Sequence, residues 1–186
     1  MDDVYAYAKL NAKIMPLDRG DRFEDPLAEM LEESGFGQVG GGGTLQSKEG
    51  EIIYCGIDID FTDVEQGAPL VCQFLTERGA PRGSELDYEI DGKKFTIPFG
   101  EVQGLGIYLN GTDLPEEVYR DSDVNEVVDE INRLLSGRGA IEGHWQGPTE
   151  TALYLYGVSV EEMRNLIAPL MDSHPLCQRA RLVTIA

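Results

Sequence analysis

The chain has 186 residues, of which 41% are hydrophobic and 26% are charged, and this composition excludes wholesale disorder. Its 34 acidic and 15 basic side chains give a formal net charge of −19. Because nucleic acids and anionic membranes are bound through cationic side chains, the acidic excess argues against both as partners. We also expect no secretory signal and no membrane-spanning helix, since the N-terminal sequence lacks a basic and apolar leader and no apolar run is long enough.

Cysteine and histidine are sparse in this sequence. The three cysteines, Cys55, Cys72 and Cys177, form no CxxC motif, and their odd number is typical of reduced thiols in the cytoplasm. With only two histidines, His144 and His174, a zinc site built from imidazole groups is not expected. The sequence therefore predicts a cytoplasmic protein with no metal and no cofactor.

The first half of the chain shows the periodicities of strands and helices in the order βαββαβ. Residues 4–14 alternate between apolar and polar side chains, as a half-buried strand does. The predicted elements are strands at 4–14, 38–45, 51–61 and 86–90, and helices at 21–33 and 69–78. We expect the strand at 38–45 to be irregular because it contains four consecutive glycines, and the second helix to start at Pro69.

Asp91 and Gly92 form a two-residue hairpin signal at the end of the first half. Such a loop places a charge pair and an aromatic pair directly opposite each other, which supports the register. The aligned residues are Ile90 with Lys93, Glu89 with Lys94, and Tyr88 with Phe95. An extra strand at 93–98 is therefore predicted between the two halves.

The second half repeats the order βαββαβ. Its predicted strands lie at 104–110, 140–146, 151–156 and 177–185, and its helices lie at 123–135 and after Ser159, where Glu162 completes a capping box. Residues 34–39 and 136–141 share the pattern SGxGx(V/I), and each follows the first helix of its half. The repeated order of elements indicates an internal duplication.

Two such halves predict an α+β protein formed by tandem duplication of a ferredoxin-like βαββαβ module. Each module is expected to have an antiparallel sheet with helices on one face, and an extra β-hairpin lies between the modules. The predicted boundaries are 1–90 for the first module, 91–101 for the bridging hairpin strand and 102–186 for the second module. The two modules could pack as one compact unit.

Tyrosines are the main candidates for a binding surface. If helices cover one face of each sheet, the open faces carry Tyr5, Tyr7 and Tyr54 in the first module and Tyr108, Tyr154 and Tyr156 in the second. The acidic charge argues against stacking of nucleobases on these rings. We expect the two faces to be buried against each other or against another chain, with a ligand cleft between the modules as the alternative.

The predicted strand at 140–146 offers one further candidate. Alternation places Trp145 with Ile141 in the core, and His144 beside Glu142 on the other face. His144 and Glu142 could act as an acid and base pair, but no nucleophile can be placed near them. We therefore interpret His144 as a surface or interface residue.

Three carboxylates, Asp58, Asp60 and Asp63, are weak candidates for ligands of a hard cation. The spacing lacks the twelve-residue loop of an EF-hand, and clusters of acids arise by chance in so acidic a chain. We predict a solvated strand end there and no metal.

The acidic charge is accompanied by no catalytic motif. We therefore expect a non-enzymatic, acidic, cytoplasmic binding or regulatory protein that docks a basic protein, as inhibitors and immunity proteins do, with acidic faces on helices at 21–33 and 116–130 as its docking surfaces. The alternative is a small-molecule-binding protein or an enzyme with a tyrosine-lined cleft between the modules. The oligomeric state stays open, with a homodimer among the options.

Overall fold

A computed structural model describes residues 3–186 of the chain. It divides into two compact units: the first contains the described residues up to Gln46 together with Ile52–Glu101, and the second contains Ser47–Glu51 and Val102–Ala186. The predicted boundaries 1–90, 91–101 and 102–186 stay a prediction, and the first two residues of that range lie outside the described residues.

The first unit is an antiparallel five-stranded sheet with helices on one face. Its strands are β1 (Val4–Leu10), β2 (Gly37–Gln46), β3 (Ile52–Phe61), β4 (Ser84–Ile90) and β5 (Lys93–Phe99), in the order β2-β3-β1-β4-β5. Its helices are α1 (Pro16–Arg19), which continues through a π-helical turn at Gly20–Glu24 into α2 (Asp25–Ser34), and α3 (Val64–Glu77). The core combines side chains from alternate strand positions, such as Ala6, Ala8 and Ile57, with Leu27 and Leu75 of the helices.

The second unit repeats this arrangement with a four-stranded antiparallel sheet. Its strands are β6 (Gln103–Asn110), β7 (Gly139–Gln146), β8 (Glu150–Gly157) and β9 (Arg181–Thr184), in the order β7-β8-β6-β9. Its helices are α4 (Glu116–Asp121), α5 (Val124–Leu135) and α6 (Val160–Ser173), followed by a 3₁₀ turn at Pro175–Cys177. Apart from α4 and the extra edge strand β5, each unit has the βαββαβ order, so the predicted fold class, a duplicated ferredoxin-like α+β module, is confirmed.

The hairpin between β4 and β5 has the predicted register. Its residues pair as expected, with Ile90 opposite Lys93, Glu89 opposite Lys94 and Tyr88 opposite Phe95. The two aromatic rings stack with their centroids 5.2 Å apart. Asp91 and Gly92 have φ angles of 50° and 77°, which is the left-handed backbone that a tight hairpin turn requires.

Two helical segments of the first unit begin earlier than predicted. The first begins at Pro16, because the π-helical turn joins α1 to α2 and extends the helix upstream of residue 21. The second, α3, begins at Val64, where the Asp63 carboxylate accepts a hydrogen bond from the backbone N–H of Gln66 at 3.1 Å. Pro69 therefore lies inside α3, and the prediction that it starts this helix is wrong. The cap at Asp63 and the buried face of the helix compensate for the one hydrogen bond that proline cannot make.

The second strand of each unit contains a β-bulge at the same place. The pairing with the next strand shifts between Val39 and Gly41 in β2 and between Ile141 and Gly143 in β7. Both bulges follow the shared SGxGx(V/I) pattern, so the short sequence similarity marks a repeated backbone feature. A bulge inserts one residue, and every side chain after it changes face relative to simple alternation.

Trp145 shows the consequence of the bulge in β7. Ile141 pairs with Leu155, which lies in the core beneath the helices, whereas Trp145 pairs with Ala152, which lies in a cluster on the other face of the sheet. The prediction that Trp145 and Ile141 share the core is therefore wrong. A second shift in the pairing of β2 with β3 lies between Leu45 and Gln46 and skips Ile53. It exchanges the faces of the first side chains of β3, so Ile52 is buried and Ile53 is 45% exposed.

Two elements of the second unit differ in extent from the sequence pattern. The last strand spans Arg181–Thr184, whereas the pattern predicts 177–185, because the chain turns at Pro175–Cys177 and Arg179 has a left-handed φ of 60°. The acidic segment 116–130 is divided between α4 and α5, since Asp123 caps a new helix at Val124.

Within residues 3–186, no helix has both the length and the apolar character that crossing a membrane requires.

Candidate functional site

The open face of the first sheet, on the side away from its helices, places tyrosines between carboxylates. Tyr5 and Tyr7 lie on the central strand β1, where Tyr5 is opposite Asp60 and Tyr7 is opposite Asp58 on β3. On its other side, Tyr7 is opposite Asp87 of β4. Two aromatic rings are thus flanked by three carboxylates on neighbouring strands, a combination that attracts cations by charge and by the π-face.

Tyr5 is the most accessible tyrosine of this face. Its side chain is 56% exposed, and its hydroxyl donates a 2.5 Å hydrogen bond to the Asp58 carboxylate. That hydrogen bond, with burial and the nearby negative charge, raises the pKa of Tyr5 to about 12. The hydroxyl therefore stays protonated at neutral pH, and the Asp58 carboxylate holds the ring in place while more than half of it remains accessible.

Tyr7 and Tyr54 complete the aromatic part of the face. The ring of Tyr7 lies over Gly56, where the Cβ of any other residue would overlap the ring, and burial raises the pKa of its hydroxyl. The Lys9 ammonium lies 5.2 Å from the centre of the Tyr54 ring and 3.9 Å from the Glu85 carboxylate. The chain itself therefore places a cation between a tyrosine ring and a carboxylate on this face.

A groove of about 1170 Å³ opens beside these residues and is formed by the first unit alone. Its lining combines several carboxylates and one lysine with aromatic and aliphatic side chains. It includes residues from both sides of the sheet, since Val4, Val64 and Tyr88 pack against the core on the helix side. The lining consists of Asp3, Val4, Tyr5, Tyr7, Thr62, Asp63, Val64, Glu65, Asp87, Tyr88, Glu89, Ile90, Asp91, Lys94, Phe95 and Thr96. We call this feature, with the adjoining Asp58 and Asp60, the acidic groove. Its walls suit a cationic ligand with an apolar stem, such as a lysine or arginine side chain.

The three predicted cation ligands do not converge on one point. Asp58 holds Tyr5, Asp60 is the cross-strand neighbour of Tyr5, and Asp63 caps helix α3. Across residues 3–186, no group of three or more His, Cys, Asp or Glu side chains is arranged to hold a metal ion. These carboxylates therefore contribute charge to the groove individually.

The tyrosines of the second unit have a different environment. Tyr108, Tyr154 and Tyr156 are 7%, 1% and 2% exposed and form a cluster with Trp145 on the face away from the helices. The segment Ser47–Glu51 belongs to this unit, and the Glu51 carboxylate accepts hydrogen bonds from Tyr108 at 2.7 Å and Tyr154 at 2.8 Å. Burial and these bonds raise the pKa of both hydroxyls well above their usual range.

Further contacts fix the same segment. The Trp145 indole N–H donates to the backbone carbonyl of Glu49 at 3.2 Å. The Arg181 guanidinium lies 4.6 Å from the centre of the Tyr108 ring and forms two hydrogen bonds with Glu150, at 2.9 and 2.8 Å. This guanidinium lowers the pKa of the Glu150 carboxyl. The tyrosines predicted as ligand candidates in this half are thus buried.

Of the predicted pair His144 and Glu142, only His144 has a cross-strand partner in β8, because the bulge in β7 falls between Ile141 and Gly143. His144 is exposed and opposite Leu153, whereas Glu142 lies at the bulge itself, so the alternation that placed them side by side does not hold. Sequence reasoning missed Glu51, whose role depends on contacts more than 50 residues away, and it missed Asp87 and Thr96 as groove residues. The signal for Asp87 and Thr96 is present in the hairpin register, which places them opposite each other.

No protein-family model and no curated protein sequence matches the chain. Among solved structures, it is similar to a chain of the complex of TiaS with an isoleucine tRNA, AMPCPP and agmatine, with 13% identity, a TM-score of 0.36, and coverage of 99% of this chain and 60% of that one. It is also similar to the first two RRM domains of yeast poly(U)-binding protein Pub1, with 11% identity, a TM-score of 0.25, and coverage of 98% and 99%. A heme-binding protein from Thermus thermophilus gives 9% identity, a TM-score of 0.30, and coverage of 98% and 89%.

These similarities, at such low identities and TM-scores, indicate nothing about function. The chain spans about 60% of the length of the TiaS-complex chain that it matches. The fold follows from the strand order and pairings of the chain itself.

Proposed function

We propose that this chain is a non-enzymatic, cytoplasmic binding protein whose acidic groove docks a basic protein partner. The observation that carries the proposal is the register of the open face, where Tyr5 and Tyr7 are flanked by Asp58, Asp60 and Asp87. Carboxylates attract cationic side chains over a distance, and exposed aromatic rings hold them at contact. The position of Lys9 against Tyr54 and Glu85 supports this interpretation, because it is an internal example of the same recognition.

The same features disfavour an anionic ligand. A phosphate or carboxylate in the groove would face many carboxylates and a single lysine, which costs free energy at every contact. The outer helices carry acidic side chains as well, but the groove adds aromatic rings to the charge. Docking in the groove, with the remaining charge assisting association, is therefore the form of the proposal that the geometry favours.

The experiment measures binding of a fluorescein-labelled, arginine-rich peptide of about ten residues by fluorescence anisotropy. The test variant combines Asp58→Asn, Asp60→Asn and Asp87→Asn. The matched control combines Glu116→Gln, Glu126→Gln and Asp129→Asn, which removes the same charge from exposed helical positions. The groove variant should weaken binding by about 10-fold or more, since three ion pairs at these partly exposed carboxylates contribute up to about 1 kcal/mol each. The control should change binding by less than about 3-fold, reflecting long-range charge alone.

Binding should also weaken as salt is raised, because screening reduces the attraction between exposed charges. Equal losses in the two variants would reject the groove as the docking surface. Absence of binding by the wild-type protein at low salt would reject the function itself.

A further inference from the structure

The free edge of the first sheet borders the acidic groove. Strand β5 is the last strand in the sheet order, and Lys94, Phe95 and Thr96 of this strand line the groove. The side chains of Lys94, Thr96 and Pro98 are exposed. An edge strand of this kind presents backbone N–H and C=O groups to a partner.

The hairpin register shows which backbone groups point outward. In a two-residue hairpin the residues that flank the turn, here Ile90 and Lys93, exchange hydrogen bonds, and every second pair after them does the same. The pair between Asp87 and Thr96 is therefore a non-hydrogen-bonded pair, so the N–H and C=O of Thr96 point away from β4. Pro98, two residues further along β5, has no N–H to donate, so an added strand can form the full pattern of backbone hydrogen bonds only with the part of β5 before Pro98.

Side chains on the open face add a charge argument at the same positions. Strand β4 carries Glu85, Asp87 and Glu89 on that face, and β5 places Pro98, Thr96 and Lys94 opposite them. Thr96 and Pro98 are short and uncharged, whereas Lys94 is a cation placed opposite Glu89. A long cationic side chain on an added strand can therefore reach back over Thr96 or Pro98 to Asp87 or Glu85, about 10 Å away across two strand spacings.

We propose that the basic partner binds as an extended segment that adds to β5 as an antiparallel sixth strand, with arginines at alternate positions opposite Thr96 and Pro98. This inference rests on the proposed function and adds the conformation and the spacing of the ligand. Backbone hydrogen bonds to Thr96 supply affinity, and the alternate arginines supply specificity through Asp87 and Glu85. The residue opposite Lys94 is neutral or acidic in such a partner.

The first experiment compares peptides of identical composition and net charge. One has arginines at alternate positions, a second has the same arginines in one block, and a third is the alternating peptide with N-methyl groups on its backbone amides. Anisotropy titrations with the wild-type protein should show the alternating peptide binding at least about 5-fold more tightly than the block peptide. N-methylation should weaken it by at least about 10-fold, because it removes donors and leaves the charge unchanged.

The second experiment changes the protein. Thr96→Pro removes the outward N–H, and Thr96→Val is its control, because valine keeps that N–H while losing the hydroxyl bond to Asp87. Thr96→Pro should weaken the alternating peptide at least about 5-fold relative to Thr96→Val, with circular dichroism and thermal melting showing that both variants are folded. If Thr96→Pro does not fold, the N-methylated peptide decides the question with the wild-type chain.

The outcomes separate this inference from the proposed function. Equal affinities for all three peptides, each lost in the groove variant, would overturn strand addition and leave docking in the groove intact. Failure of every cationic peptide to bind the wild-type protein would overturn both.

Discussion

Replacement of Glu51 by alanine should destabilise the second unit, because this carboxylate accepts hydrogen bonds from two buried tyrosines. The Tyr108 and Tyr154 hydroxyls reach it at 2.7 and 2.8 Å, and their side chains are 7% and 1% exposed. A hydrogen bond to a charged group contributes about 1.5–3 kcal/mol, and a buried hydroxyl left without its partner costs about 1–3 kcal/mol. Two hydroxyls left without their partner cost about 2–6 kcal/mol together, and because Glu51 itself is only partly buried, we expect the lower part of that range, about 2–4 kcal/mol for Glu51→Ala.

Urea unfolding followed by tryptophan fluorescence measures this effect directly. Trp145 is the single tryptophan of the chain and packs in the same tyrosine cluster, so its emission reports on this part of the protein. With a slope of about 2 kcal/mol per molar urea, the expected loss lowers the unfolding midpoint by about 1–2 M. The control is Glu49→Ala, since the exposed Glu49 contributes its backbone carbonyl to Trp145, and the substitution leaves that carbonyl in place.

A double-mutant comparison separates the hydrogen bonds from other effects of the substitution. In a background of Tyr108→Phe and Tyr154→Phe, neither of these hydroxyls is present to lose its partner when Glu51 is removed, so Glu51→Ala should cost clearly less than in the wild-type background. An equal cost in both backgrounds, or a cost below about 0.5 kcal/mol in the wild-type background, would refute the hydrogen-bonding explanation.

Three further predictions concern the remaining framework. Gly67→Ala should destabilise the first unit by about 1–3 kcal/mol in urea unfolding, because the alanine Cβ would lie 2.5 Å from the buried ring of Phe61. This loss should outweigh the better helix propensity of alanine, and a stabilised variant would contradict the prediction. Asp63→Ala should cost about 1 kcal/mol in thermal unfolding by removing the N-cap of α3, while Asp63→Asn should restore most of it. Burial raises the pKa of the Cys72 and Cys177 thiols to about 11, so both should resist alkylation at pH 8 in the folded protein and react after unfolding. Since unfolded thiols ionise near a pH of about 8.5, their contribution to stability is full below that pH and falls as pH rises through the pKa of the folded state; rapid alkylation of the folded protein at pH 8 would contradict this.

Local sequence patterns predict the elements that depend on local contacts. The hairpin at Asp91 and Gly92 is predictable residue by residue, because the turn type, the charge pair and the aromatic pair all lie close together in the sequence. Alternation fails at Trp145 because a single extra residue in β7 exchanges the two faces. The SGxGx(V/I) pattern precedes that residue in both halves, but the pattern alone does not show that a bulge follows it. The start of α3 is misplaced because Pro69 is a stronger local signal than the cap at Asp63, which prevails through the burial of the whole helix.

The candidate site is only partly predictable for a different reason. Alternation places Tyr5 and Tyr7 on the open face, since that requires only the period of a strand. Their carboxylate neighbours depend on which strands pair and in which register, so Asp87 could not be connected to Tyr7 without the structure. Glu51 is the least predictable, because its hydroxyl partners lie 57 and 103 residues away along the chain.

Both units pair a tyrosine hydroxyl with a carboxylate on the open face of the sheet, but the pair is buried in the second unit and accessible in the first. This difference in exposure makes the first unit the better candidate for binding a ligand. A tyrosine hydroxyl on a sheet face needs an acceptor, which Glu51 supplies for Tyr154 in the second unit and Asp58 supplies for Tyr5 in the first. In the second unit the arrangement is buried, and its rings are 7% exposed or less. In the first unit the same pairing leaves Tyr5 56% exposed, with further carboxylates beside it. The carboxylates there would be costly to bury without a cation and stay accessible, so the basic partner that we propose would gain most by binding at the acidic groove.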